Sequence, residues 1–264
     1  MRSYFILGFS LLLSIILFTR CEESEPGCLD KNAENFDVQA IDACDTCCIL
    51  PQVRLDMDLM LDTLPVSLGV DYAFGADADT FNLRSIVLPF SDFTFIGPEG
   101  MWVVEDTIRN FSPTAKDDYL IIENNGRQNI GFTSFLNAIK DVDMTLGYSE
   151  ARLRNLQPFI DIHPTGRVLR LTRRLYADST DVFTQMEMEI ELADSVRSLL
   201  ITEIPDQKLK LTYVDGLRPQ QGMAWDVPVQ LDMNRLLRGV DVTAPNEVIA
   251  ETIGQNLAVS VRER

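Results

Sequence analysis

Val53-Arg54-Leu55-Asp56-Met57-Asp58-Leu59 alternates apolar and charged side chains without a break. Successive side chains of a strand point to opposite faces, so this stretch buries one face and wets the other. The same period of two returns at Leu83–Phe95, Met101–Ile108, Tyr119–Ile122, Val142–Tyr148, Val168–Tyr176, Phe183–Leu192, Leu199–Ile204, Leu209–Val214 and Val227–Met233. Turn-forming breaks such as Gly97-Pro98-Glu99-Gly100, Asn124-Asn125-Gly126 and Arg218-Pro219-Gln220-Gln221-Gly222 separate these segments. About ten short strands with few helical intervals predict an all-β chain, an antiparallel β-sandwich, over a parallel α/β sheet. Two stretches read as helix. Thr133–Ile139 places Phe135, Leu136 and Ile139 on one side. A better candidate starts at Pro245-Asn246, with Asn246 as its expected N-cap, and carries Val248, Ile249, Thr252, Ile253 and Leu257 at three- and four-residue steps. This short C-terminal helix is expected to close an open end of the sandwich.

Around this region the chain has 264 residues, of which 46% are apolar, enough for a sizeable core, with 40 acidic against 23 basic side chains and a net charge of −17. So negative a chain lacks the basic face that phosphate contacts need, which argues against nucleic acid as a partner. Charge alone would not hold it on anionic headgroups either.

The N-terminus points to export. Arg2 precedes an apolar run from Tyr4 to Phe18, then Thr19-Arg20-Cys21. The run is about 15 residues, short of the ~20 that span a bilayer, so residues 1–20 read as a signal peptide. Cys21 with the residues before it resembles the lipobox of bacterial lipoproteins, which implies a diacylated Cys21 and a membrane contact through an N-terminal lipid anchor. Residues 21–26 form an acidic linker. Its Glu22-Glu23-Ser24-Glu25 resembles the surface-export signal of Bacteroidetes lipoproteins, and it reads equally as a solvated spacer. The expected location is the cell envelope, as an outer-membrane lipoprotein exposed at the surface if that signal operates.

Cys28, Cys44, Cys47 and Cys48 crowd residues 27–50, and no cysteine follows. In an oxidising compartment these predict a small module closed by two disulfides. A bond between the neighbours Cys47 and Cys48 would close a strained eight-membered ring, so each is expected to reach Cys28 or Cys44. Asp30, Asn32 and Asp37, with Asn35 and Asp42, could gather oxygen ligands for calcium, or serve as Asx turns with no metal. The segment Gly27-Cys28-Leu29-Asp30 through Ala33-Glu34-Asn35-Phe36-Asp37 to Cys44 resembles a short repeat of secreted Bacteroidetes proteins.

Over residues 53–264 an ordered set of segments recurs: Val53-Arg54-Leu55-Asp56-Met57, Phe81-Asn82-Leu83-Arg84-Ser85-Ile86-Val87-Leu88, Asp117-Asp118-Tyr119-Leu120-Ile121-Ile122, Thr145-Leu146-Gly147-Tyr148, His163-Pro164-Thr165-Gly166, and Leu231-Asp232-Met233-Asn234-Arg235-Leu236-Leu237-Arg238-Gly239. In that order they resemble the MbnP-like family, relatives of the periplasmic copper-binding protein of methanobactin gene clusters. The resemblance implies copper held by histidines and an oxidised tryptophan, and a di-haem peroxidase as partner. This chain offers one histidine, His163, so a complete imidazole site of that kind cannot be assembled. Trp225, in Gly222-Met223-Ala224-Trp225, occupies a different place in the chain. Met57, Met186 and Met188 could supply thioether sulfur, but they fall on the apolar side of their strands, where core packing explains them.

Catalysis has little to stand on. A cysteine–histidine pair is missing from residues 53–264, Ser149 lacks a nucleophile elbow, and no glycine-rich phosphate loop follows a strand. Acidic pairs are abundant, at Asp56/Asp58, Asp117/Asp118 and Asp141/Asp143, and the trio Glu187/Glu189/Glu191, alternating with Met186, Met188 and Ile190, reads as the solvated face of one strand. Arg167, Arg170, Arg173 and Arg174 form the one basic cluster and are expected to pair with nearby carboxylates. The expected protein is an exported, lipid-anchored, non-enzymatic binding or scaffold module. A copper chaperone or store, and a carboxylate-based protein acting on polysaccharide, are the alternatives.

Overall fold

A computed structural model describes residues 26–44, 46–75, 79–103, 120–132, 138–147, 184–202 and 207–264. Cys21 and its surroundings, the strand expected over 168–176, the basic cluster of 167–174, His163 and Ser149 lie outside the described residues.

The opening alternation forms β1 (Gln52–Leu61), with Val53, Leu55, Met57 and Leu59 sealed and Arg54 and Asp58 partly exposed. It runs through the middle of a five-stranded sheet. On one side lie β12 (Trp225–Asp232) and β13 (Val261–Glu263), and on the other β2 (Leu64–Pro65) and β7 (Gly126–Phe132). The second sheet has eight strands and is organised by β4 (Asp79–Gly97). Its order is β10 (Ser195–Thr202), β9 (Thr184–Leu192), β4, β8 (Ile139–Leu146), β11 (Gln207–Leu217), with β3 (Asp71–Phe74), β5 (Gly100–Val103) and β6 (Leu120–Glu123) also paired to β4. Inner faces of both sheets meet in one apolar core, with Met57, Met186 and Met188 in it as expected.

The sandwich is all-β and antiparallel in every ladder among the described residues but one. β1 and β12 run parallel, from Val53 opposite Trp225 to Met60 opposite Asp232. A hairpin forces neighbours antiparallel, but these strands come from opposite ends of the domain and any return path is open to them. Thr133–Ile139 also needs correction: Ile139 opens β8 and is paired across to Leu217, so its apolar neighbours do not extend a helix to that point. Residues 133–137 lie outside the described residues.

β4 shows how one long strand serves several partners. Its large buried apolar side chains are Phe81 and Leu83, then Ile86, Leu88 and Phe90, then Phe93 and Phe95. The parity changes twice, between Leu83 and Ser85 and between Ser91 and Thr94, and the ladders to β9 and β8 shift register at the same two places. An extra residue in one strand flips all later side chains to the other face, so each bulge bends β4 and returns its apolar set to the core. Asp92, with φ 55°, is the extra residue of the second. At the far end Gly97 is required by close approach, because a Cβ there would stand 2.4 Å from the Ala138 carbonyl oxygen.

After β12 the chain makes one turn, α1 (Met233–Leu236), capped by Asp232, whose carboxylate accepts from the Arg235 amide at 3.2 Å. The C-terminal helix α2 (Asn246–Ser260) packs on α1 and β10 and so covers an edge of the eight-stranded sheet. Its cap is Pro245, not Asn246: the Pro245 carbonyl accepts from the Val248 and Ile249 amides, while Asn246 turns outward to Arg197. Pro245 is extended, at φ −60° and ψ 154°, and has no side-chain acceptor, so the first turn rests on its carbonyl alone at this position. The buried stripe is Ile249, Ile253, Gly254 and Leu257; Val248 is exposed.

Residues 27–50 form a small unit with little regular structure. Cys28 is bonded to Cys48, with Cα atoms 4.9 Å apart, and Cys44 to Cys47, 5.5 Å apart. Cys47 and Cys48 therefore reach different partners, as ring strain requires. The unit rests on the loop between β11 and β12, where the Gln221 side-chain amide donates to the Lys31 carbonyl. Gly222, at φ +65°, lets that loop approach so closely that a Cβ would be 3.1 Å from the Ala33 carbonyl oxygen.

Candidate functional site

The most elaborate charged array among the described residues lies on the outer face of the five-stranded sheet. Arg54, Asp56 and Asp58 follow each other at two-residue steps on β1, so all three project from the same face. The parallel register sets Asp226 opposite Arg54, and the antiparallel one sets Arg127 of β7 opposite Asp56. Arg264, just after β13, folds back over the same strand. The contacts form a chain of alternating sign. Arg54 Nε lies 2.7 Å from Asp226, Arg127 Nη2 3.5 Å from Asp226 and Arg127 Nε 3.1 Å from Asp56. Arg264 Nη2 is 2.9 Å from Asp56, and its other terminal nitrogen meets Asp58. Further along β12, Asp232 holds Arg262 at 2.9 Å and Arg235 at 3.4 Å.

Asp56 sits at the centre of the chain and is 8% exposed. Burial pushes its carboxyl up, but hydrogen bonds from Arg127 and Arg264 outweigh that and leave it below the ordinary carboxylate value. The Asp56 hydrogen bond in turn raises Arg127, and the Asp58 hydrogen bond raises Arg264. Three guanidinium groups and three carboxylates thus satisfy one another. Each of the three cations has a carboxylate partner, while Arg127 keeps more than half of its side chain exposed. The array joins β12, β1, β7 and the C-terminus and so ties these elements together.

The other acidic groups are placed similarly. Asp141 of β8 accepts from Thr212 at 2.7 Å and meets Lys210 at 3.2 Å; the Thr212 hydrogen bond lowers its carboxyl. Glu187, Glu189 and Glu191 share the outer face of β9, and Glu191 pairs with Arg84 at 2.5 Å. Asp117 and Asp118 lie outside the described residues.

In the N-terminal unit, Asp30 accepts from the Asn32 amide at 2.9 Å and Asp37 from the Gln39 amide at 2.8 Å, each side chain holding its own turn. Asn35 ties the unit together, donating to the Cys47 carbonyl at 2.7 Å and accepting from the Ile49 amide at 2.8 Å. Among the described residues no three His, Cys, Asp or Glu side chains converge as a metal site. Trp225 is buried with its ring edge-on to Phe95 at 5.5 Å, and its indole N–H has no hydrogen-bond partner among the described residues.

Sequence reading missed Arg127, Arg197 and Arg264. Arg197 of β10 donates to the carbonyls of Val242 and Ala244, each at 2.9 Å, and to Asn246 at 3.1 Å, fixing the approach to α2. The alternation Arg54-Asp56-Asp58 was visible, but its partners are set by strand register and chain reversal, for which the sequence carries no local mark.

The fold and surface thus define a two-sheet β protein carrying a disulfide-bridged N-terminal unit, held together on one outer face by a neutral Asp–Arg lattice. Comparison with known proteins adds a distant relation only. No protein family matches the chain, and no curated protein sequence matches it. Among solved structures it is similar to MbnP from Methylosinus trichosporium, at 12% identity over 73% of this chain and 79% of that one, with a TM-score of 0.39.

Proposed function

We propose that this chain is an exported envelope protein, held to the membrane through an acylated Cys21, whose β-sandwich acts as a non-enzymatic binding or scaffold module. The observation that carries the reading is the N-terminal unit: every cysteine of residues 27–50 is bridged, a state that persists in oxidising compartments and is rare in the cytosol. That unit directly follows the lipobox-like Thr19-Arg20-Cys21. The neutral lattice around Asp56 is in keeping with a structural face, since each of its cations already has a carboxylate.

Fractionation of the native host with mass spectrometry of the N-terminal peptide tests this. The expected result is a diacylglyceryl-modified Cys21 in the membrane fraction, moving to the soluble envelope fraction with Cys21→Ser. An unmodified Cys21 thiol on a cytosolic chain with reduced cysteines would overturn the proposal. Metal analysis of the same material separates the copper reading: stoichiometric copper lost with His163→Ala would replace a scaffold by a copper-holding protein.

A further inference from the structure

The two disulfides of the N-terminal unit have unlike settings. Cys28 is 1% exposed, and the backbone around it knits the unit together. Its carbonyl accepts from the Asp37 amide at 2.9 Å, Gly27 donates to the Asp42 carbonyl at 3.1 Å, and the Gly27 carbonyl accepts from the Cys44 amide at 3.0 Å. The bridge from Cys28 to Cys48 spans 20 residues. Cys44 and Cys47 are only three residues apart, and both are half-exposed. Their Cys-x-x-Cys spacing keeps the two sulfurs adjacent whether or not they are bonded.

Stabilisation by a disulfide is reciprocal: a bridge that holds the fold is protected from reduction by the fold in the same measure. Closing a long loop restrains the unfolded chain more than closing a four-residue one, so the fold shelters Cys28–Cys48 and does little for Cys44–Cys47. Access separates them at one sulfur: Cys28 is sealed, whereas Cys48 is half-exposed like Cys44 and Cys47, so an attacking thiolate is kept from Cys28 Sγ but meets a half-exposed sulfur at either end of Cys44–Cys47.

We infer that Cys44–Cys47 is a thiol–disulfide exchange site whose substrate is an external dithiol, and that Cys28–Cys48 is its structural support. One thiolate of the dithiol attacks Cys47 Sγ, the Cys44–Cys47 bond breaks, and Cys44 leaves as a thiolate. The second thiolate of the reductant then attacks its own sulfur in the mixed disulfide and releases Cys47. The reductant ends as a disulfide, the pair gains two electrons, and the two protons lost by the dithiol pass to Cys44 and Cys47. In sequence, Asp30, Glu34, Asp37, Asp42 and Asp45 outnumber Lys31 in this unit, so a neutral or basic dithiol is favoured over an anionic thiol. This reading does not depend on the lipid anchor.

The test uses the full oxidised chain with Cys21→Ser, equilibrated in a series of dithiothreitol and its disulfide, quenched in acid, alkylated and sequenced by tandem mass spectrometry. Cys44 and Cys47 are expected to reach half-reduction at a dithiol-to-disulfide ratio at least about tenfold lower than Cys28 and Cys48. The circular dichroism of the sandwich should be unchanged at that point. Co-titration of both bridges, earlier labelling of Cys28 or Cys48, or no labelling before the chain unfolds would overturn the inference. As a second arm, Cys44→Ala/Cys47→Ala should remain folded and lose dithiol consumption; consumption at the unchanged rate overturns it equally.

Discussion

Residues 27–50 and the sandwich that follows solve the problem of staying folded by different means. In the N-terminal unit only Cys28 and Ala33 among the apolar side chains are sealed, while Val38 is 80% and Ile41 76% exposed, with Leu29, Phe36 and Ile49 also open to solvent. So short a segment cannot enclose a core, and it relies on the long Cys28–Cys48 bridge, its Asx turns and the seat on Gly222. The sandwich has no cysteine and relies on burial: Leu55, Met57, Leu59, Ile86, Leu88, Phe90 and Phe93 have no accessible surface. The two parts should therefore answer to different perturbations.

The largest effect is expected in the sandwich. Phe90→Ala removes a fully buried ring from the middle of β4 and should cost about 3–5 kcal/mol in denaturant unfolding. Both disulfides should remain oxidised while the sheet signal is lost. Cys28→Ala/Cys48→Ala is the reciprocal perturbation. Freeing a 20-residue separation should cost about 3 kcal/mol, and it should appear locally, as faster hydrogen exchange at the Asp37 and Cys44 amides that now bond across the unit. An equal fall in the melting temperature of the sheets would mean that the two parts unfold as one.

How much of this could be read beforehand depends on the range over which each feature is written. The all-β class was legible because period two is local: Val53 to Leu59 carries its own evidence. The bulges of β4 were also present in the sequence as changes of parity at Leu83–Ile86 and Phe90–Phe93, although one continuous strand was the simpler reading. β2, β3 and β13 were not legible; they are two to four residues long and are stabilised by what they pair with. Nor was the parallel β1–β12 ladder, because nothing in either strand states which way its partner runs. The cysteine pairing was narrowed by ring strain and then fixed by the fold. For the lattice on the outer face, Arg54, Asp56 and Asp58 were visible as one strand face, while Arg127 and Arg264 were brought to it from β7 and the last residue of the chain.

A smaller effect is expected where the sandwich meets its helix. Arg197→Ala deletes three hydrogen bonds, to the Val242 and Ala244 carbonyls and to Asn246, and leaves two carbonyls beside β10 without that donor. A loss of about 1–3 kcal/mol is expected, with hydrogen exchange rising first at the N-terminal turn of α2. Arg197→Lys should recover only part, because a single ammonium cannot reproduce the spread of the guanidinium fork.

The smallest effect is the acid sensitivity of the Asp–Arg lattice. The folded-state value of Asp56 lies below its unfolded one, so the contribution of this group is complete above about pH 4 and is lost as pH falls through the lower folded value. Asp56→Asn should flatten the stability curve in that acid range and leave the neutral range nearly level. The loss at neutral pH should stay under about 1 kcal/mol, since Arg127 keeps Asp226, Arg264 keeps Asp58 and solvent screens both pairs. A loss of several kcal/mol at pH 7 would instead mean that Asp56 compensates a desolvated cation. In that case the outer face would contribute to stability on the scale of the core, and the separation between a sandwich held by burial and a unit held by local polar and covalent ties would no longer describe the molecule.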